Sequence, residues 1–437
     1  MTPGFYVITY CIVTDCNDAV ENGFRRSSGE RFEGRLVVDR PKTNAVRRAV
    51  TALFFVNGMA TATWFVRIPA VKSRLDISAG ELSLALLAIA LGSIVMMLFA
   101  SGFVERFGAG RNLIAGSGFL AFGLSSLGLA PSLSALCGAG VLLGFGNGLM
   151  NVALNARAAE IQAEYGRAIM PSFHAWLSLG GFVAATIGGL VAAGGVPASV
   201  HLTATAVGLV FFGAAFYRVL FRDSKVAVIS RRIRTYLLIE DDSGVRRFSR
   251  PGPLVVLLGL VGFSVLFGEG AMADWSAVYL SSLGATEAVA AAGFALFSLA
   301  MAVGRLIGGW LTNRLGQTAM IRAGGTLGAV GLSLGLAGGT PTLALIGFAV
   351  VGLGFSTVFP LVLSAAGEAS RVPSRAIAFV SVCGYGGLLL GPAAIGLMAE
   401  LTTIRLALVT VVALSVFVVA AGGLVAARRP EPALESA

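Results

Sequence analysis

The chain has 437 residues, of which 56% are hydrophobic and only 12% are charged, and its mean hydropathy is +0.85. A soluble protein carries about 25% charged residues, so this composition excludes an ordinary soluble domain and indicates a membrane protein with many spans. The net charge of +10 comes from short segments that flank apolar runs, which is typical of membrane topology signals. We therefore expect a lipid bilayer around the chain and no nucleic acid as a partner.

Twelve apolar segments are long enough to cross a bilayer, and each is predicted to be a helix because an open sheet cannot satisfy its backbone in lipid. A long polar stretch, residues 222–250, separates them into two groups of six. The predicted spans lie near residues 46–69, 80–104, 111–130, 134–158, 168–193 and 198–221, and then near 252–281, 287–312, 318–338, 341–367, 373–399 and 403–427. The expected fold class is an all-α membrane protein with twelve transmembrane helices in two pseudo-symmetric six-helix bundles.

The predicted domain boundaries follow from these spans. Residues 1–44 are expected to form a disordered cytoplasmic tail, because their apolar piece, Phe5–Val13, is too short to span a bilayer. An N-terminal bundle is predicted at 45–221, a cytoplasmic central loop at 222–251, a C-terminal bundle at 252–427 and a cytoplasmic tail at 428–437.

The distribution of basic residues predicts the orientation in the membrane. All but five of the 32 Lys and Arg residues lie in the termini or in segments on the same side as the termini. The five are Arg67, Lys72, Arg74, Arg305 and Arg405. Because basic segments stay on the cytoplasmic side, both termini are expected to be cytoplasmic, in a multi-pass protein of the bacterial inner membrane.

Two charged, glycine-rich interruptions occupy the same place in the two groups of spans. Ser101–Arg111 follows the second span and Gly309–Gly316 follows the eighth, and the turn glycines Gly108 and Gly316 are 208 positions apart. The same offset relates Gly144, Gly146 and Glu160 to Gly352, Gly354 and Glu368. The chain is therefore predicted to contain two copies of one unit.

Each interruption carries an arginine that is expected to stabilise the C-terminal end of a helix. Arg106 and Arg314 are placed in the last turn, where the helix dipole favours a cation, and their predicted partners are Glu160 and Glu368. Glu105 does not fit the dipole, because an anion there meets the negative end of its own helix. We therefore expect Glu105 to have a positive partner elsewhere.

These interruptions resemble the motif G-x-x-x-D-[RK]-x-G-[RK]-[RK] of the major facilitator superfamily. In the first copy Glu105 takes the acidic position, Arg106 the basic position and Gly108 the turn. In the second copy Asn313 takes the place of the acid, and Arg314 and Gly316 match. Together with the twelve spans and the repeat, the resemblance covers about residues 46–427.

The resemblance implies a secondary transporter whose two bundles rock about a central cavity. It also implies that Glu105 approaches the start of the eleventh span, near Ser374 and Arg375, when the cytoplasmic side is closed. By pseudo-symmetry Asn313 is expected to approach Gly166 and Arg167.

A closer resemblance is carried by Arg167–Ala175, Ser178–Gly181 and Glu269–Trp275. These segments are similar to a group of poorly characterised bacterial permeases distantly akin to fucose:proton symporters. Such a group often carries Asp on the fourth span where this chain has Asn151.

Two acidic residues, Glu269 and Asp274, lie well inside a predicted span, the seventh. Buried carboxylates are costly in a membrane and tend to mark ion or substrate paths. A carboxyl group in a low-dielectric site can take up and release a proton during transport. We expect this role for Glu269. Asp274 has the same interpretation and a second one, in which it is solvated near the outer end or paired with Arg67.

Several amide side chains are candidates for the transport pathway. Asn57 in the first span matches Glu269 in the seventh, so the two are symmetry mates. Asn147, Asn151 and Asn155 recur at i, i+4 and i+8 on one face of the fourth span. Such amides face a cavity or bind a neighbouring helix, and we favour the cavity for Asn151 and helix contact for Asn155.

Five larger side chains each have a functional and a structural interpretation. His174 can shuttle protons, or it can be a hydrogen-bonded packing residue. Trp64, Trp275 and Tyr385 can stack on a sugar or an aromatic solute, although the two tryptophans equally suit interfacial anchors. Arg305, in the eighth span, is interpreted as a side chain that snorkels toward the interface.

Signatures of catalysis are absent from the sequence. Gly331–Gly335 fits G-x-S-x-G but falls within a span, so we take it as a chance match, and no Walker A sequence is present. The four cysteines have no metal spacing. We expect no enzyme activity, no cofactor and no metal site.

The sequence therefore predicts a monomeric, proton-coupled transporter that moves a small polar solute, such as a sugar, by alternating access. The alternative in the same class is a proton-antiport exporter of drugs or metabolites. The alternative in another class is a non-transporting membrane sensor with the same fold, and the two membrane acids argue against it. The direction of transport stays open.

Overall fold

The computed structural model describes residues 40–165, 169–221, 251–370 and 372–427, and every regular element in these ranges is an α-helix. The first group comprises α1 (Arg40–Leu75), α2 (Ala79–Phe107), α3 (Ala109–Leu129), α4 (Leu133–Tyr165), α5 (Met170–Ala193) and α6 (Ala198–Phe221). The second comprises α7 (Pro253–Ser282), α8 (Glu287–Leu315), α9 (Gln317–Gly338), α10 (Pro341–Phe355), α11 (Val358–Glu368), α12 (Pro373–Leu401) and α13 (Ile404–Ala427). The predicted central loop and C-terminal tail, and most of the predicted N-terminal tail, lie outside the described residues.

The predicted all-α membrane fold is confirmed by these helices. Eleven helical segments of the described part are long and apolar enough to cross a membrane, with α10 and α11 counted as one span. The remaining predicted span is α6, whose described apolar part, Ala198–Phe212, is shorter. Each of the twelve predicted spans is thus found as a helix.

One boundary error concerns α1, which was expected to end near residue 69 and instead continues to Leu75. The extra turns are held by Arg74, whose guanidinium donates to the carbonyls of Gly128 at 2.7 Å and Ala130 at 3.0 Å. These carbonyls close the C-terminal end of α3, where a cation is favoured. A contact of this kind between two distant segments has no local sequence signal.

The turn glycines of the two repeats have nearly the same backbone conformation. Gly108 has φ 81° and ψ 154°, and Gly316 has φ 83° and ψ 158°. This region of backbone space is essentially restricted to glycine. Each glycine closes one helix and begins the next, which places α2 against α3 and α8 against α9 as consecutive antiparallel pairs.

A second pair of repeat-related glycines fixes how closely the helices approach. A Cβ on Gly144 of α4 would lie 2.2 Å from the carbonyl oxygen of Ile89 on α2. A Cβ on Gly352 of α10 would lie 2.3 Å from the carbonyl oxygen of Phe297 on α8. Small residues at such contacts let helix backbones pack closely in lipid. The 208-residue repeat read from the sequence is therefore a repeat of packing.

The two halves differ in the tenth predicted span, which is divided at Ser356 and Thr357 into α10 and α11. Pro360 explains the break, because proline has no N–H to offer the carbonyl of Ser356 and its ring clashes with that group. The matching position in the first half is Val152, and α4 continues through it without interruption.

The halves meet through four helix pairs, α1 with α7, α1 with α8, α2 with α12 and α5 with α8. We call the end of the molecule that carries Gly108 and Gly316 the Gly108 face, and the opposite end the Gly284 face. At the Gly284 face an ion pair joins Arg67 of α1 to Glu287 of α8, and the amide of Gly80 on α2 donates to the Glu400 carboxylate on α12. The structure is therefore closed at the Gly284 face.

Candidate functional site

The core of the site is an ion pair between Glu269 on α7 and Arg305 on α8. Arg305 Nη2 lies 3.4 Å from Glu269 Oε1, and the two side chains are 17% and 26% exposed, respectively. Both charged side chains are thus mostly buried, and both lie near the middle of their helices. The snorkelling interpretation of Arg305 was wrong, because the guanidinium finds an acid and several acceptors within the protein instead of reaching for an interface.

Arg305 also joins the two halves of the molecule. Its Nη1 donates to Ser178 Oγ at 2.6 Å and to the carbonyl of His174 at 3.3 Å, and both residues belong to α5 in the first half. Beside it, Ser298 Oγ of α8 donates to the carbonyl of Ser178 at 2.8 Å. The α5–α8 contact is therefore polar at this depth, with Arg305 and Ser298 as its donors.

From α5 the polar contacts continue to α4. The Nε2 atom of His174 lies 3.3 Å from Asn155 Oδ1, and Asn155 Nδ2 donates to Asn151 through both its carbonyl at 2.9 Å and its Oδ1 at 3.1 Å. The His174 ring also packs edge-on against Phe54, with ring centres 5.4 Å apart. The structural interpretation of His174, a hydrogen-bonded packing residue, matches this geometry. Asn155 binds a neighbouring helix in this structure.

Three other predicted pathway residues, Tyr385, Asn57 and Asn147, lie outside this chain of hydrogen bonds. Tyr385 on α12 lies near Glu269 and Arg305, and its ring packs edge-on against Phe359, with ring centres 6.3 Å apart. Asn57 is 5% exposed, and its Oδ1 has no hydrogen-bond partner among the described residues. Asn147 is half-buried on α4.

Asp274 does not pair with Arg67 and is not solvated, so both parts of the structural interpretation were wrong. It is 9% exposed, and within the described ranges it has no ion pair or hydrogen bond. Arg67 instead binds Glu287, with Nη1 3.1 Å from Oε2, and also donates to the carbonyl of Val196. The contact between Arg67 and Glu287 was not predicted from the sequence.

The two tryptophans lie in the protein core. Trp275 is 0% exposed and its Nε1 donates to the carbonyl of Pro392 on α12 at 2.9 Å, while Trp64 is 1% exposed. Stacking on a solute and anchoring at a membrane interface both need an exposed ring face. Neither tryptophan presents one in this structure, so both interpretations are corrected to core packing.

A cavity of about 560 Å³ lies on the first half between α1 and α5. Its lining residues are Arg47, Arg48, Thr51, Ala52, Phe55 and Trp176. None of these was among the predicted pathway residues. Phe55 and Trp176 pack edge-on with ring centres 6.1 Å apart, so the aromatic contact forms one wall.

Comparison with known proteins agrees with this architecture. The model of the Major Facilitator Superfamily matches residues 50–372. The chain belongs to the Major Facilitator Superfamily. The resemblance drawn from the two interruptions is thereby confirmed at the level of the superfamily, and the protein is a multi-pass membrane transporter of this family.

Two similar bacterial proteins are described as uncharacterised transporters. One, from Sinorhizobium fredii, is 35% identical over 363 residues, which cover 82% of this chain and 92% of the relative. The other, an MFS-type transporter of Yersinia pestis, is 31% identical over 365 residues, 81% of this chain and 89% of the relative. A solved D-xylose–proton symporter has a TM-score of 0.69 at 14% identity, covering 89% of this chain and 98% of that one. The likeness to the symporter shows the fold alone.

The Major Facilitator Superfamily motif lies on the Gly108 face. Arg106 stacks over Phe107 and Arg314 over Trp310, with distances of 5.4 and 4.2 Å from guanidinium carbon to ring centre. Glu160 accepts from Arg157 at 2.6 Å, and Glu368 accepts from Gln317 at 3.1 Å. The pairs Arg106–Glu160 and Arg314–Glu368 stay predictions.

The gating contacts expected of the motif are not formed among the described residues. Glu105, Asn313 and Arg375 are exposed, and no ion pair joins Glu105 to Arg375 within the ranges described. The side chain of Ser374, and all of Gly166 and Arg167, lie outside the described part. Because this structure is closed at the Gly284 face, the contact expected on closure of the Gly108 face stays a prediction.

Proposed function

We propose that this protein is a proton-coupled secondary transporter of a small polar solute, and that Glu269 carries the coupling proton. The observation that supports the proposal is the Glu269–Arg305 pair, a half-buried acid joined to an arginine that itself binds the opposite half of the molecule. Protonation of Glu269 removes the charge that balances Arg305. Arg305 is part of the α5–α8 contact, so a change at Glu269 alters a contact between the halves.

In this proposal the two halves rock about the pair in an alternating-access cycle. The Gly284 face is the outer side, held closed here by the Arg67–Glu287 pair and by the Gly80–Glu400 hydrogen bond. The Gly108 face is the cytoplasmic side, in agreement with the basic residues of the sequence, and both termini are then cytoplasmic in the inner membrane of a bacterium. A single chain contains both halves, so we propose a monomer that needs no cofactor.

A sugar is the first solute to test, because the sequence suggested kinship with fucose:proton symporters. That kinship, like the direction of transport, is part of the proposal. The second candidate is a proton-antiport exporter, in which Glu269 binds a cationic solute and a proton in turn. A sensor without transport is disfavoured, because sensing needs no protonatable pair between the halves.

The test uses the purified full-length protein in liposomes. Uptake of labelled sugars, amino acids and cationic dyes is measured with and without an imposed pH gradient. We expect at least one class to move faster with the gradient, and the sign of the gradient that accelerates uptake tells symport from antiport. Transport of a solute that is indifferent to the gradient at every pH would contradict proton coupling.

A further inference from the structure

The guanidinium of Arg305 has one side that is firmly held and one that is loosely held. Nη1 is occupied by Ser178 Oγ at 2.6 Å and by the carbonyl of His174 at 3.3 Å. Among the residues that the structure describes, Nη2 meets only Glu269 Oε1, at 3.4 Å. Charge-assisted hydrogen bonds between arginine and carboxylate are usually about 2.7–2.9 Å and are often made by two parallel bonds. The Glu269 contact is therefore long and single, and another carboxylate could improve on it without disturbing the contacts to α5.

Among the described residues, Glu269 is the one charged group paired with Arg305. Ser178 and the His174 carbonyl are neutral acceptors, and Tyr385 lies near the pair on α12. The ordinary pKa of tyrosine is about 10, so Tyr385 brings no charge near neutral pH. The ring of His174, on α5, is directed to Asn155, and a positive charge there at low pH would add to the attraction for an anion.

The chemical consequence concerns the protonated state. When Glu269 is neutral, Arg305 is a mostly buried cation without a counter-ion, and such a charge is costly in a low-dielectric site. An entering anion removes this cost. A neutral solute leaves the cost in place, and a cation adds to it.

From this geometry we infer that Arg305 is the solute-binding residue and that the solute carries a carboxylate, which takes the place of Glu269 at Arg305. The inference rests on the proposed function in that Glu269 must exchange a proton. One proton and one anionic group then enter together, so the site keeps the same net charge when empty and when loaded. Tyr385, which lies near the pair on α12, can offer its hydroxyl to the rest of the solute.

The test uses acetate as the probe, because it is the smallest stand-in for the displaced carboxylate. Glu269→Gln mimics the protonated acid and leaves Arg305 unbalanced. We expect 100 mM acetate to raise the thermal midpoint of the detergent-purified variant by about 2 °C more than equimolar chloride or the neutral isostere acetamide does. In the wild-type protein at pH 7.5, Glu269 still contacts Arg305. Acetate should therefore raise the thermal midpoint of the wild type no more than chloride or acetamide does.

The matched control is the double variant Glu269→Gln/Arg305→Gln, which has no charge in the pair and should lose the acetate-specific increment. Equal responses to acetate and acetamide, or an undiminished increment in the double variant, would overturn the inference. If Glu269→Gln elutes as an aggregate on size-exclusion chromatography, Glu269→Ala, alone and with Arg305→Gln, is measured in the same way. The alanine leaves space for acetate where the carboxylate was.

Failure of this inference is distinguishable from failure of the proposed function. Glu269-dependent, gradient-driven uptake of a neutral sugar without the acetate effect would leave proton coupling intact and remove the anionic solute. An acetate effect that depends on Arg305, in a protein whose transport ignores the pH gradient, would leave the anion site and remove the coupling.

Discussion

In the first half of the molecule the mid-span polar position is Asn57, a buried amide, whereas in the second half its symmetry mate is Glu269, a half-buried acid with an ion-pair partner. Arg305 has no charged counterpart either, because the matching position in the first half is Met97. Around the pair, the second half supplies the charges, and the first half supplies neutral acceptors on α5 and amides on α4.

The packing of the two halves is far more alike than their chemistry. Gly108 and Gly316 share one backbone conformation, and Gly144 and Gly352 each lie against a backbone carbonyl of the corresponding helix in their own half, α2 and α8. Duplication has therefore kept the backbone contacts that let the helices pack, while the ion pair of the candidate site has both members in the second copy. From this difference we infer that both halves take part in the rocking motion, whereas the second half alone binds the proton.

The sharpest test of the comparison substitutes the two symmetry-related residues, Glu269 and Asn57, each by glutamine. We expect Glu269→Gln to reduce gradient-driven uptake in liposomes to background, because the proton-binding group is gone. Asn57→Gln keeps an amide at the matching position and should retain most of the uptake. Full gradient dependence in the Glu269 variant would contradict the proposed role.

Substitution of the close-packed glycines should destabilise the two halves equally. Gly144→Ala and Gly352→Ala each place a Cβ within 2.2–2.3 Å of a backbone oxygen, so each should cost about 1–3 kcal/mol and lower the thermal midpoint. Gly138→Ala, on α4 with no atom within 4 Å of its Cβ, is the control and should not destabilise. A large difference between the two close-packed sites would mean that the halves are less alike than the repeat indicates.

The turn glycines test the same symmetry through backbone strain. Gly108→Ala and Gly316→Ala have open space for a Cβ but force alanine into φ near 80°, at a cost of about 1–3 kcal/mol, toward the lower end because nothing is displaced. Gly102→Ala is the control in α2, since it is helical and also has open space. Thermal unfolding in detergent should lower the midpoint for both turn variants and leave that of the control unchanged or slightly raised.

The smallest effect is expected at the exposed motif residues. Glu105→Gln should slow uptake several-fold by weakening closure of the Gly108 face, while Asn313→Ala should have less effect because no charge is lost. The thermal midpoint of the structure described here should not change for either variant, since both side chains are exposed. If the two variants slowed uptake equally, the two copies of the motif would contribute equally to closure, which would contradict this prediction.

The sequence by itself determined the membrane class, the twelve helices and the twofold repeat. These follow from hydropathy and from spacing, which are local properties of a chain that must satisfy every backbone group in lipid. It also marked Glu269 as a candidate for the pathway, because an acid is rare enough within a span to be noticed without knowing its neighbours. Glu105 and Asn313 were identified as gate candidates by another signal, a motif at fixed spacing.

Only the tertiary structure decided which side chains meet. Arg305 looked like a snorkelling side chain, because its own helix offers no partner, and its acceptors come from α5 and α7 across long stretches of chain. Trp64 and Trp275 looked like stacking or interface residues, since hydropathy does not tell a buried face of a helix from a lipid-facing one. The pairing of Arg67 with Glu287 likewise joins residues from the two halves. Ion pairs and core positions of this kind depend on distances between helices, and those distances are set by packing and not by spacing along the chain.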